Sequence, residues 1–195
     1  MQIILGSSSP YRRKLLEKLK IDFAVASPDI DETPKAGESA RDLVGRLALA
    51  KAKKIGNKYK NALIIGSDQV ATIGGKILGK SGNFARAFKQ LKQSSGKAVE
   101  FYTALCLLNS ETDEYQLEVV PFTVHFRKLS DAEIKGYIER EQPFNCAGSF
   151  QAEGLGVALF EKLEGDDPNT LIGLPLMRLN AMLKQQGINI LTAKD

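Results

Sequence analysis

Residues 62–78 read Ala-Leu-Ile-Ile-Gly-Ser-Asp-Gln-Val-Ala-Thr-Ile-Gly-Gly-Lys-Ile-Leu. The run from Ala62 to Ile65 is apolar without alternation, which is the pattern of a buried strand. Gly74-Gly75, between Val70-Ala71-Thr72-Ile73 and Lys76-Ile77-Leu78, is a two-residue hairpin signal. Upstream, Ile3 to Leu5 is a short apolar run ended by Gly6 and three serines, and Leu15, Leu16 and Leu19 follow at helical spacing. That segment reads as strand, polar loop and helix. Phe23 to Ala26 fits a second strand, and residues 27–37, rich in proline and acids, a loop. Ser39 with Asp42 resembles a capping box that opens a helix to about Lys54, with Leu43, Leu47 and Ala50 on one face.

Downstream, a helix is predicted from Asn83 to Lys92 and a long strand from Val99 to Leu108, with Leu117 to Phe126 as its partner across a polar turn. Ser130 with Glu133 forms another capping box, opening a helix to about Arg140. A last helix is expected from about Leu174 to Gln186. Strands alternate with helices early and pair as hairpins later, so the expected fold is an α/β domain with a mixed sheet. No repeat, low-complexity tract or linker divides the chain, and residues 1–195 are read as one domain.

The 195 residues are 43% hydrophobic and 26% charged, which excludes collagen-like, disulfide-framework and disordered classes. A chain of this size buries about 70% of the surface its unfolded form exposes, so Cys106 and Cys146 need no structural bond. Two cysteines and a single histidine, His125, cannot furnish a zinc tetrad. The net charge of +4, from 27 basic and 23 acidic residues, favours an anionic partner without naming it. The opening Met-Gln-Ile-Ile-Leu-Gly lacks the features of a signal peptide, and no apolar run approaches the roughly 18 residues of a membrane span. The expectation is a cytoplasmic chain with reduced cysteines and no membrane partner.

Several segments carry candidate chemistry. Asp68 and Gln69 end the apolar run, the place where open α/β sheets hold ligands; Asp68 can bind a divalent cation, deprotonate a water, or simply close an Asx turn. Ser7, Ser8, Ser9, Tyr11, Arg12 and Arg13 sit at a strand-to-helix junction and together suggest an oxyanion cradle, the alternative being a serine-capped helix with solvated arginines. Asp29, Asp31 and Glu32 crowd one loop, as magnesium ligands or as solvated acids. Lys51 borders an apolar helical face and reads, alone, as a snorkelling surface lysine. His125 and Cys146 take structural roles. Residues 74–81, Gly-Gly-Lys-Ile-Leu-Gly-Lys-Ser, match the P-loop pattern, but Lys-Ile-Leu looks like the return strand of the hairpin and no magnesium-holding Asp strand follows.

Taken together, Ser7-x-Ser9-Pro10-x-Arg12-Arg13, Asp31-Glu32-Thr33-Pro34, Leu47-Ala48-x-x-Lys51-Ala52, Gly66-Ser67-Asp68-Gln69 and Gly79-Lys80 resemble the Maf family of nucleotide pyrophosphatases. The likeness continues through Phe101-Tyr102-Thr103, Ala147-Gly148-Ser149-Phe150, Glu153-Gly154, Leu163-Glu164-Gly165 and Gly173-Leu174-Pro175-Leu176, and covers nearly the whole chain. Gly-Ser-Asp-Gln, Tyr11 and the Phe-x-x-Glu-Gly segment look like the YceF-like branch, whose members act on 7-methyl-GTP. The resemblance implies an elongated, twisted mixed sheet flanked by helices, similar to the inosine triphosphatases. It also implies hydrolysis of a nucleoside triphosphate between the α and β phosphates, a divalent cation (magnesium, or manganese) and a homodimer.

Carried over by position, Asp68 is similar to the family's proton acceptor, and Tyr11, Gln69 and Glu153 fall at its specificity positions. Ser7, Arg12, Arg13, Lys51 and Lys80 align with its phosphate-binding set, with Ser9 of the same loop beside them, and Glu32 with its acid near the metal, to which Asp68 also contributes. Two positions depart from the pattern: Ser81 stands where proline is common, and Gln151 where the branch often has lysine. The rival readings are a P-loop kinase or ATPase using residues 74–81, which would release orthophosphate, and a basic nucleic-acid-binding regulator. The chain lacks the clustered basic stripe with interleaved aromatics that nucleic acid calls for.

Overall fold

Residues 1–192 are described in the computed structural model of the chain. Strands β1 (Gln2–Gly6), β2 (Ala24–Ala26), β3 (Ala62–Ile73), β4 (Lys76–Leu78), β5 (Ala98–Asn109), β6 (Tyr115–Phe126) and β7 (Phe160–Glu164) form a sheet of order β2-β1-β3-β5-β6-β7, with β4 on β3. β1 runs parallel to β2 and to β3, while β3–β4 and β6–β7 are antiparallel, so the sheet is mixed. Helices α1 (Pro10–Glu17), α2 (Ala40–Gly56), α3 (Phe84–Ser94), α4 (Asp131–Glu141), α5 (Pro168–Ile172) and α6 (Leu176–Gln185) accompany it.

The chain separates into two compact units, one of residues 1–68, 103–120 and 167 onward, the other of residues 69–102 and 121–166. β3, β5 and β6 each contribute to both. In the first unit, Ile3, Leu5, Leu63, Ile65, Leu105 and Leu107 of the strands bury against Leu15 and Leu16 of α1 and Leu179 and Leu183 of α6. In the second, Phe126 and Phe150 pack edge-to-face with each other and with Phe160, at centroid separations of 4.9 to 5.4 Å, and Phe101 joins Phe150 at 5.3 Å. Such offset contacts place the positive edge of one ring on the negative face of the next.

The predicted caps form. Ser39 accepts from the Asp42 amide at 3.1 Å, and at α4 Ser130 and Glu133 exchange both bonds of a capping box. Gly74 and Gly75 take φ values of 53° and 76°, the left-handed pair that a type I′ hairpin requires, and residues 76–78 return antiparallel along β3. That geometry removes the P-loop alternative, because Lys-Ile-Leu is spent on strand pairing and cannot wrap a phosphate.

Other expectations change. The helix predicted from Leu174 is preceded by a short separate one, α5, and the chain breaks between them at Gly173, with φ 124°. One buried carboxylate organises the break: Asp167 Oδ1 caps α5 through the Asn169 amide at 2.9 Å, and Oδ2 accepts from the Met177 amide in the first turn of α6 at 2.8 Å. The 3-10 helix Leu155–Leu159 and strand β7 carried no periodic signal, since β7 is largely exposed and a bulge shifts its register at His125 and Phe126. His125 has the structural place expected of it, with Nε2 3.0 Å from Glu164 Oε2 across that pair.

Two surface carboxylates of the second unit lead us to expect a stability that falls in acid. The Ser130 amide and then Arg127 hold Glu133 down at about 2, and Lys162 and then His125 hold Glu164 there too, from an ordinary 4.5. A depressed folded value means stability that is fully present above about pH 4.5 and lost as pH falls toward about 2. The thermal midpoint is expected to be level from neutral pH to about 5 and to fall below it, with Glu133→Gln flattening part of the fall. A midpoint that holds down to pH 3 in calorimetry would contradict this.

Candidate functional site

β1 and β3 lie in parallel register with Gly6 opposite Gly66, so Ser7 and Ser67 emerge side by side. β3 then continues without a break to Ile73, which puts Asp68 inside a strand and removes the Asx-turn reading. Asp68 is only 8% exposed. Above β3 runs α2, whose buried face is Leu43, Val44, Leu47, Ala48, Lys51, Ala52 and Ile55; Ala50 is half-buried, not part of that face.

Lys51 is the main correction to a reading by spacing alone. It is 6% exposed, and it is no snorkelling surface residue. Its Nζ lies 2.6 Å from Asp68 Oδ1 and 2.7 Å from Glu32 Oε1. Burying a single ammonium is costly unless it is paired, and these two carboxylates satisfy it. Glu32 approaches from the 27–37 loop with its side chain 57% exposed, whereas Asp29 is exposed and Asp31 is engaged by the Thr33 amide at 2.9 Å.

Arg12 forms the second cationic centre. Ser9 caps α1 by accepting from the Arg12 amide at 3.4 Å, and Arg12 Nε donates to the Gly173 carbonyl at 2.8 Å. Ser67 Oγ donates to the same carbonyl at 3.0 Å, and Arg12 Nη1 lies 3.5 Å from the buried Ser7 Oγ. Burial lowers the guanidinium pKa, while the attraction of Asp68 and then Glu32 opposes the shift. The structure therefore brings Ser7, Ser9, Arg12, Lys51, Asp68 and Glu32 into one electrostatic neighbourhood. Tyr11 is half-buried at the start of the same helix. Arg13 points elsewhere: its Nε pairs with Glu17 at 3.1 Å on the exposed side of α1.

The remaining candidates belong to the second unit. Gln69 is half-buried in β3, and Lys80 is exposed, with its backbone bridged to Ala147. The Gly79 carbonyl beside it accepts from Gln90 Nε2 at 3.0 Å, and Gln90 Oε1 accepts from Ser149 Oγ at 2.5 Å. Ser81 is fully buried with its Oγ unpartnered among the described residues, so nothing in its surroundings requires a hydroxyl in place of the family's proline. Glu153 is exposed on a turn whose flanks are tied to α4: the Gln151 amide donates to Tyr137 Oη at 3.0 Å and the Leu155 amide to Glu141 Oε1 at 3.1 Å.

Sequence reasoning missed the Gly173 carbonyl, which accepts from both Arg12 and Ser67, though both Gly173 and Ser67 stand inside quoted motifs; a backbone acceptor leaves no side-chain signal. It also missed Arg46 and Glu38, two charges in the helix and loop that carry Lys51 and Glu32. Among the described residues no group of three or more His, Cys, Asp or Glu side chains is gathered for a metal. Asp68 and Glu32, each with one oxygen on Lys51, are hard oxygen donors of the kind a magnesium ion takes.

Arg12 at the start of α1, Lys51 of α2, Asp68 within β3 and Glu32 of the 27–37 loop gather paired cations and carboxylates beside the hydroxyls of Ser7 and Ser9, a set of donors of the kind that oxyanions accept from. Residues 2–186 match the family model described as Maf-like protein, and the chain belongs to that family. A 7-methyl-GTP pyrophosphatase of Colwellia psychrerythraea is 56% identical over 193 residues, covering 99% of this chain and 96% of that protein. Among solved structures, the Ham1 protein of Staphylococcus aureus superposes with a TM-score of 0.54 over 95% of this chain and 100% of that one. At 12% identity this likeness concerns the fold.

Proposed function

We propose that the chain hydrolyses 7-methyl-GTP between its α and β phosphates, releasing 7-methyl-GMP and pyrophosphate. The observation that carries this reading is the buried Lys51 joined to Asp68 and Glu32 beside Arg12, in a chain 56% identical to a relative of that name. Asp68 presents Oδ1 to Lys51, which leaves Oδ2 to orient a water and take its proton. The water oxygen bonds to the α-phosphorus, the bond from that phosphorus to the α,β-bridging oxygen breaks, and the electron pair leaves with pyrophosphate. Arg12 and Lys51 offset the charge that gathers on the phosphoryl and bridging oxygens, with Ser7 and Ser9 as hydrogen-bonding groups of the same loop, and for Lys80, in the second unit, the resemblance to the family is the support for a phosphate-binding role. Glu32 and Asp68 would hold the divalent cation, whose chemistry is to polarise the phosphoryl oxygens and neutralise the leaving group.

Base selection is assigned to Tyr11, Gln69 and Glu153 on the resemblance to the family, Tyr11 from the first unit and the other two from the second. Methylation at N7 makes the guanine ring cationic, so an aromatic face gains a cation–π contact and a carboxylate can accept from N1–H and N2–H₂. Arg13 has the weakest claim, since it is engaged with Glu17. A cytoplasmic location and a homodimer belong to the same reading; among the described residues no helix is long and apolar enough to cross a membrane.

Incubation with magnesium and a panel of 7-methyl-GTP, GTP, dTTP and UTP tests it. Pyrophosphate is the expected product, with 7-methyl-GTP favoured over GTP by about 2- to 30-fold, the equivalent of a cation–π contact of roughly 0.5–2 kcal/mol. Orthophosphate as the product would overturn the reaction, and equal rates across the panel, or a preference for dTTP, the base preference.

A further inference from the structure

Glu32 reaches Lys51 from an exposed stretch of loop. Residues 31–37 are all exposed, and a segment with few buried apolar contacts opens easily unless polar contacts fix it. Three of those contacts run through the pair formed by Arg46 and Glu38. Arg46, on α2 five positions before Lys51, grips both carboxylate oxygens of Glu38, with Nε 2.5 Å from Oε1 and Nη2 2.7 Å from Oε2. The same Nη2 donates to the carbonyl of Thr33, the residue after Glu32, at 3.1 Å. Glu38 Oε2 also accepts from the Lys35 amide at 3.0 Å, so the fork is tied to the loop at Thr33, Lys35 and Glu38.

We propose that Arg46 and Glu38 are positioning residues: their forked pair anchors the 31–38 loop to α2 so that Glu32 stands against Lys51 and Asp68. An arginine–carboxylate fork fixes orientation as well as distance, which a lysine point charge cannot do. Arg46 is mostly covered, and it holds the Glu38 carboxyl down at about 2, so the pair stays charged throughout the neutral range. Neither residue touches the reacting atoms; both act through Glu32. The inference rests on the placement of Glu32 in the active site given above.

The test is a double-mutant cycle on the full chain, reading kcat and KM for 7-methyl-GTP hydrolysis with magnesium in wild type, Glu32→Gln, Arg46→Met and the double variant. Arg46→Met is expected to lower kcat/KM by about tenfold, within the range that misplacing a catalytic group brings, and to cost less than about twofold further once Glu32 is already Gln. Arg46→Lys, which keeps the charge and stem but loses the fork, should fall between and serves if Arg46→Met does not fold. Additive losses would mean that Arg46 supports the fold in general and would overturn the inference, as would wild-type kinetics in Arg46→Met when Glu32→Gln is impaired. Wild-type kinetics in Glu32→Gln would instead remove Glu32 from the site, and the positioning role with it.

Discussion

Asp68→Asn is expected to lower kcat for 7-methyl-GTP by about 10²- to 10⁴-fold, the usual contribution of a positioned general base. That range corresponds to roughly 3–5 kcal/mol of barrier. The substitution isolates the proton transfer, because the asparagine oxygen can still accept from Lys51, which lies 2.6 Å from Oδ1 in the native site, and because Lys51 keeps its second carboxylate, Glu32. Folding and nucleotide binding should therefore survive, so the loss should fall on kcat with KM nearly unchanged. Single-turnover rates beside equilibrium binding make the distinction. Normal binding with full turnover would remove Asp68 as the base, and a loss that high magnesium restores would assign it to the cation instead of the water.

Gly66→Ala should be the most damaging small substitution in the first unit. A Cβ at Gly66 would stand 2.2 Å from the Ala48 carbonyl oxygen and 3.0 Å from the Ala52 amide and Cβ, all on α2. Backbone is the obstacle on that side, so no side chain can swing away, and α2 must lift from β3 for the methyl to fit. Overpacking of this kind costs about 1–3 kcal/mol and more where backbone must move. At the upper value the thermal midpoint should fall by roughly 6–12 °C for a chain of this length. Since α2 carries Lys51 and β3 carries Asp68, turnover should fall with stability. A variant that melts like wild type would show that the helix and strand are not in the close contact described.

The local readings that survived rest on signals confined to a few neighbouring residues. The Gly74-Gly75 hairpin follows from the φ values glycine alone adopts freely, and the caps at Ser39 and Ser130 from hydroxyl oxygens placed before helical spacing. The apolar run at 62–65 announced a buried strand because only a covered position tolerates four such residues in succession. Motif order along the chain reached further and pointed to the family and the candidate residues, since a resemblance spread over the whole chain is insensitive to any one weak match.

Tertiary structure decided what those residues do to one another. Lys51 looked like a surface lysine because its neighbours in sequence are compatible with either position; its burial depends on β3 and on a loop 19 residues earlier in the chain. Arg12 and Arg13 are adjacent and chemically identical, yet a helix turns successive residues about 100° apart, so one donates to the Gly173 carbonyl and the other lies in solvent with Glu17. The Gly173 carbonyl, the doubly capping Asp167 and the Arg46–Glu38 fork are likewise products of chain crossings, invisible to any periodicity. The sequence by itself determined which chemistry was available, oxygen ligands and fixed cations without a histidine or cysteine centre. Only the fold determined which of these charges are desolvated and paired, because both depend on distances between segments far apart along the chain.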